Sequence, residues 1–93
     1  MSEFRIFETD EFKKQLGKMS STDASRIQSK LTSYVYPQLK QDPFWGTNIK
    51  KLRGYNPNTW RYRINKFRLF YSVDNVEKIV FILTIDFRKN AYR

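Results

Sequence analysis

Residues 60–64 read Trp-Arg-Tyr-Arg-Ile, a strict alternation of large apolar and cationic side chains. In an extended strand successive side chains point to opposite faces, so Trp60, Tyr62 and Ile64 must go one way and Arg61 and Arg63 the other. A chain carrying this segment needs a sheet with one covered face for the aromatics and one open face for the guanidinium groups. Arg68 follows early in the next apolar segment, and Arg88 and Tyr92 come after the last one. Guanidinium groups set side by side repel one another unless an anion lies among them, and the polyanion most available to a small protein is nucleic acid.

The charge distribution points the same way. The 93 residues include 18 Lys or Arg and 9 Asp or Glu, for a net charge of +9. Residues 1–47 hold seven basic and six acidic side chains and residues 48–93 hold eleven and three, so the second half carries +8 of the total. A field of that size calls for an acidic partner, either nucleic acid or an acidic protein. The length suits one domain, 1–93, with one core. Cysteine is absent, which removes disulfides and thiolate metal sites and fits a reducing cytoplasm. Histidine is absent too, and with it the usual general base and the usual metal ligand. Three acidic residues scattered among eleven basic ones make a poor cation site, so no metal and no cofactor is expected. The opening MSEFRIFETDEF has no apolar stretch of signal-peptide length, and the longest apolar run, 79–83, is far short of a membrane span. The expectation is a soluble cytoplasmic protein that does not engage a membrane.

Along the chain, Phe4 and Ile6 open a short strand. Thr9 or Asp10 caps a helix carrying Phe12, Leu16 and Met19, with Asp10 and Glu11 near its positive end and Gly17 near its close. A second helix starts at Ser21 or Thr22 and presents Ile27, Leu31, Val35 and Leu39 on one face. Pro37 inside it predicts a kink or a restart near Tyr36, because proline lacks the N–H and crowds the preceding turn. Asp42-Pro43-Phe44-Trp45-Gly46 has the composition of a turn into sheet, with Trp45 and Trp60 read as core residues. Residues 48–53 are strand-like, 54–58 form a loop, and 59–64 and 67–73 are strands joined by a tight turn at Asn65-Lys66. After a turn at 74–77, residues 78–86 make the most apolar strand, which belongs in the sheet interior. The fold class is α+β in the order β-α-α-β-β-β-β, with a helix hairpin on one face of a twisted, mostly antiparallel sheet.

In four stretches, NIKKLRG (48–54), WRYRINKFRLFY (60–71), EKIVFILTI (77–85) and FRKNAYR (87–93), the chain resembles the RelE/ParE superfamily of bacterial and archaeal toxins. The helix hairpin and the Asp-Pro-Phe-x-Gly turn agree in kind and position, so the likeness covers nearly the whole chain. The resemblance implies a compact microbial-ribonuclease type of fold and a type II toxin neutralised by a cognate acidic antitoxin in a hetero-oligomer. For the RelE branch it further implies an endoribonuclease that cleaves mRNA in the ribosomal A site, without metal, by attack of the 2′-hydroxyl. The alternative is a ParE-like poison of DNA gyrase, which binds a protein and cuts nothing itself. Carried over by position, the RelE pattern of two basic residues one apart matches Arg61 and Arg63. Its next-strand arginine matches Arg68, its late arginine Arg88, and its trailing tyrosine Tyr92. The chain departs from the family in having arginine where the strand pair is often lysine, and Asp86-Phe87 where Gly-His is frequent. A histidine acid, used by some relatives, is therefore excluded.

Chemically, RNA cleaves itself when a 2′-hydroxyl attacks the adjacent phosphate, given a base, an acid and positive charge for the phosphorane. Arg61, Arg63 and Arg68 suit phosphate clamping and charge stabilisation, since guanidinium is a planar fork of five donors that stays charged. Arg88 suits the leaving group, and Tyr92 can stack on a base or orient the nucleophile. Lys66, Lys89 and Asp86 are the local candidates for a base, unless distortion of the substrate on the ribosome does most of the work. Lys50, Lys51, Arg53, Lys66 and Lys89 read as rim charges that steer the domain toward rRNA and mRNA.

Overall fold

The computed structural model describes residues 3–87. Strand β1 (Arg5–Glu8) leads through Thr9 into helix α1 (Asp10–Gly17) and then helix α2 (Ser21–Lys30). A π-helical turn (Leu31–Val35) joins α2 to α3 (Tyr36–Gln41), and strands β2 (Ile49–Lys51), β3 (Thr59–Ile64), β4 (Phe67–Asp74) and β5 (Ile79–Phe87) follow. The five strands form one sheet in the order β1-β5-β4-β3-β2, with β1 parallel to β5 and the other pairs antiparallel. This is the α+β arrangement expected from the sequence, and the most apolar strand, β5, is interior.

The helices begin where the caps allow. Thr9 accepts a hydrogen bond from Phe12 N–H at 3.2 Å and Ser20 one from Asp23 N–H at 3.1 Å, each supplying an orphan donor of the first turn. Gly17 is the last residue of α1, so Met19 packs against the core from the following turn rather than from the helix. The expected break at Pro37 takes the form of the π turn. Tyr36 N–H reaches back five residues to the Leu31 carbonyl, and the widened turn accommodates a ring that an α-helical turn would crowd. Widening has a second effect. Steps of four residues overshoot a full α-helical turn, and the π turn takes up the overshoot, which keeps Ile27, Leu31, Val35 and Leu39 all buried.

Those four residues and Phe12 cover the side of the sheet that carries Trp60, Tyr62, Ile64, Phe67, Leu69, Tyr71, Val80, Ile82 and Ile85. The last two are three residues apart, which a regular strand would send to opposite faces. A bulge in β5 resolves this, since Phe70 pairs with Thr84 but Tyr71 pairs with Ile82, leaving Leu83 as the extra residue. The Thr9 hydroxyl lies 2.7 Å from the Ile82 carbonyl and 3.0 Å from that of Leu83, so the cap of α1 also satisfies the irregular strand. The tight turn at Asn65-Lys66 is accommodated by Asn65 at φ 54, a left-handed conformation asparagine tolerates better than most residues.

Two expectations change. The strand predicted over 48–53 is limited to Ile49–Lys51. Trp45 is 79 % exposed, because Phe44 takes the inward place in the turn, edge-on to Phe4 at 5.9 Å and to Trp60 at 5.3 Å.

Three phenols tie the helical layer and its exit to the sheet. Tyr36 donates to Glu8 Oε2 at 2.7 Å, Tyr62 to Gln38 Oε1 at 2.6 Å and Tyr71 to the Pro43 carbonyl at 2.6 Å. Burial raises the pKa of all three; Glu8 adds to the rise at Tyr36, and Tyr62 and Asp42 add to that at Tyr71. Because the folded values are raised, the stability these groups contribute is complete below the ordinary phenol value of about 10 and is lost as pH climbs through the folded values. Urea unfolding midpoints should therefore hold steady up to about pH 9 and fall above pH 10. Tyr71→Phe should cost about 1–3 kcal/mol at neutral pH and flatten that alkaline fall.

Candidate functional site

Partners in antiparallel register share a face, so the pairing of β2 to β5 determines what stands on the side away from the helices. Arg63 is opposite Arg68, and Arg68 is in turn opposite Asp86, giving one row across β3, β4 and β5. Lys50 is opposite Arg61, Arg61 opposite Phe70, and Phe70 opposite Thr84, giving the adjacent row. Arg61, Arg63, Arg68 and Lys50 thus stand together over three neighbouring strands. Arg63, Lys50 and Asp86 are exposed, while Arg61 and Arg68 are half-buried with their Nε atoms shielded from solvent.

Phe70 stands between the arginines. The Arg68 guanidinium carbon lies 5.8 Å from its ring centroid, within reach of a cation–π attraction. Such packing restricts the guanidinium before any ligand arrives, which lowers the entropy lost on clamping one. Sequence reasoning missed Phe70 as a site residue. The signal was present, because Arg68, Phe70 and Ser72 alternate with Phe67, Leu69 and Tyr71 and the first of the set marks the open face.

Other expected residues lie apart. Lys51 belongs to the opposite face of β2, with its ammonium 5.7 Å from the Trp60 ring centroid. Arg53 is in the turn that follows β2, and Lys66 is in the β3–β4 turn with its ammonium 5.9 Å from the Phe67 centroid. Arg88, Lys89 and Tyr92 lie outside the described residues. Among the described residues, no group of three or more histidine, cysteine or carboxylate side chains is placed to hold a metal ion. None of the helices described is long and apolar enough to cross a membrane.

Chemically, three guanidinium groups and an ammonium on an uncovered sheet can hold a phosphodiester by multiple charge-assisted hydrogen bonds, with an aromatic ring among them for a base or sugar to rest on. The other half of the same face differs. Phe7, which is 55 % exposed, meets Phe81 edge-on at 5.8 Å, so the surface over β1 and β5 is led by an aromatic pair, with the exposed Arg5 two residues from Phe7 on the same face.

The family model for the ParE toxin of the type II toxin-antitoxin system parDE matches residues 6–92. Among solved structures, the chain is similar to the RelBE toxin–antitoxin complex of Mycobacterium tuberculosis, with a TM-score of 0.73, 24 % identity, and 92 % of this chain and 99 % of that one covered. It is similar to the archaeal RelE–RelB complex of Pyrococcus horikoshii, with a TM-score of 0.68, 22 % identity, and 95 % and 97 % covered. A mutant of the Escherichia coli toxin RelE in the free state gives 0.66 and 22 %, over 99 % of this chain and 90 % of that one. At these identities the likeness is one of fold. No curated protein sequence matches the chain significantly.

The division between faces is testable through stability alone. Arg63→Ala and Lys50→Ala should each change the unfolding free energy by no more than about 0.5 kcal/mol. Ile64→Ala, one residue away on the covered face, should cost about 2–5 kcal/mol in the same urea titration.

Proposed function

We propose that this chain, which belongs to the ParE toxin family of type II toxin–antitoxin systems within the RelE/ParE superfamily, is a ribosome-dependent mRNA endonuclease. The observation that carries this reading is the shared face of Arg61, Arg63, Arg68 and Lys50. A toxin that acts only by binding a protein has no need of a phosphate clamp built from three neighbouring guanidinium groups. In this reading Arg63 and Arg68 hold the scissile phosphate and stabilise the phosphorane, and Arg61 and Lys50 hold a neighbouring phosphate. Arg88 assists the departing 5′-oxygen and Tyr92 stacks on a base of the message. The fold likeness to RelE toxins is consistent with it.

The partners follow from the charge. A cognate acidic antitoxin would cover the +9 domain and form a hetero-oligomer with it; the similar Mycobacterium tuberculosis and Pyrococcus horikoshii structures are themselves toxin–antitoxin complexes. Binding of that kind should weaken markedly as salt rises from about 0.05 to 0.5 M, and an affinity indifferent to salt would refute the electrostatic account. The second reading, a gyrase poison, has the ParE family match in its favour.

Mapping transcript 5′ ends after brief expression, with and without ongoing translation, separates the two. Cuts at codon positions, present only in translated messages, are expected. Double-strand DNA breaks with intact messages would establish the gyrase reading instead. Arg68→Ala should lower the cleavage rate about 100- to 1000-fold, the usual cost of one pre-aimed donor, and relieve growth arrest.

A further inference from the structure

Guanidinium groups can bind a phosphate and stabilise the transition state, but they cannot take the proton of an attacking hydroxyl. Arginine is permanently protonated and offers no lone pair, and the chain has no histidine. Lys66 is at the tip of the β3–β4 hairpin, beside the Phe67 ring. The sheet nevertheless brings a carboxylate into the row. Asp86 is the register partner of Arg68 on the side away from Arg63, on the open face and exposed. Among the described residues, the other carboxylates fall elsewhere. Asp74 is six residues from Arg68 along β4, about 20 Å at strand rise, and accepts the Val76 and Glu77 N–H groups. Glu8 accepts the Tyr36 hydroxyl beneath the helical layer.

We propose that Asp86 is the general base of this site, an assignment that rests on the ribonuclease reading above. Opposite residues in an antiparallel pair have Cβ atoms about 5 Å apart, so Arg63 and Asp86 flank Arg68 across two strand spacings, about 9.5 Å in all. A phosphate held by Arg63 and Arg68 has its neighbouring ribose over Asp86. The Asp86 carboxylate takes the 2′-hydroxyl proton, and the oxygen's electron pair forms the new bond to phosphorus. The bond from phosphorus to the 5′-oxygen then breaks, its pair leaves on that oxygen, and the oxygen takes a proton from water. The products are a 2′,3′-cyclic phosphate and a 5′-hydroxyl end, and Asp86 returns its proton to solvent. A carboxylate here also repels the incoming polyanion. Its removal therefore affects binding and chemistry in opposite directions, which a bystander would not do.

The test is single-turnover cleavage of mRNA on programmed ribosomes by the full chain and by the Asp86→Asn and Asp86→Glu variants across pH, with thermal midpoints recorded for each. Asp86→Asn should keep its midpoint, reach half-saturation at equal or lower concentration, and cut about 100- to 10,000-fold more slowly at saturation. Its rate should also lose the fall toward acid pH that the wild type displays, while Asp86→Glu keeps that fall and recovers part of the rate. An Asp86→Asn protein that cuts as fast as wild type, or more slowly with the acid fall unchanged, overturns the assignment. In the latter case the carboxylate only orients Arg68. A wild-type chain that leaves ribosome-bound message intact overturns the ribonuclease reading itself, and with it this one.

Discussion

The constraint on which everything else depends is one-sided burial of a sheet whose side chains alternate. Once α1, α2 and α3 cover Trp60, Tyr62 and Ile64, the two-residue period leaves Arg61 and Arg63 nowhere to go but the opposite face. Neighbouring strands repeat the condition. Burying Phe67 and Leu69 sends Arg68 outward, and antiparallel register then sets Arg68 against Arg63. The cationic surface is thus a geometric consequence of the core, and a register slip that displaced it would also expose the core aromatics. A site specified this way is held in position by the core, which offsets the repulsion between Arg63 and Arg68.

The β5 bulge is the one place where that logic is deliberately interrupted. Counting by twos from buried Val80 would send Asp86 toward the helices and Ile85 to solvent. The extra residue at Leu83 reverses the phase, burying Ile85 and bringing Asp86 beside Arg68. Thr9 holds the irregularity through its contacts with the Ile82 and Leu83 carbonyls, and the same hydroxyl caps α1. The start of the first helix and the far edge of the arginine face are therefore linked through a single side chain, some seventy residues away in sequence from the strand it steadies.

This separates what the sequence reveals from what it hides. The first helix start was legible because Thr9 is a strong cap, the second was read at Ser21 or Thr22 and falls at Ser21, and the break near Tyr36 was legible because Pro37 cannot continue an α-helix. The arginine face was legible from alternation alone. The bulge was not, since Ile-Val-Phe-Ile-Leu is apolar on both phases and the lone Thr84, a residue strands accept on either face, does not mark the shift. Trp45 was misread for a related reason. Two adjacent aromatics in a turn cannot both point inward, and nothing in composition says that Phe44 is the one that fits between Phe4 and Trp60. Lys51 illustrates a third limit, since a basic pair on a strand divides between faces even though its charges add in any composition count.

The open face is itself divided, and the division has a physical meaning. Over β2, β3 and β4 it offers clustered cations around Phe70, whereas over β1 and β5 it offers Phe7 and Phe81 with a single cation, Arg5. A polyanion alone would gain from a cluster of cations on every strand. Aromatic surface over the β1 edge gains instead from a ligand with apolar groups, and an uncovered edge strand can pair with an added extended segment. Asp86 stands beside Arg68 one strand further on, the one described negative charge beside the arginines, where it would oppose a bound phosphate. A face graded in this way discriminates by position as well as by charge: on the proposed ribonuclease reading a phosphodiester would be drawn to Arg63 and Arg68 and repelled one strand further on, which would fix where along a bound strand the chemistry takes place.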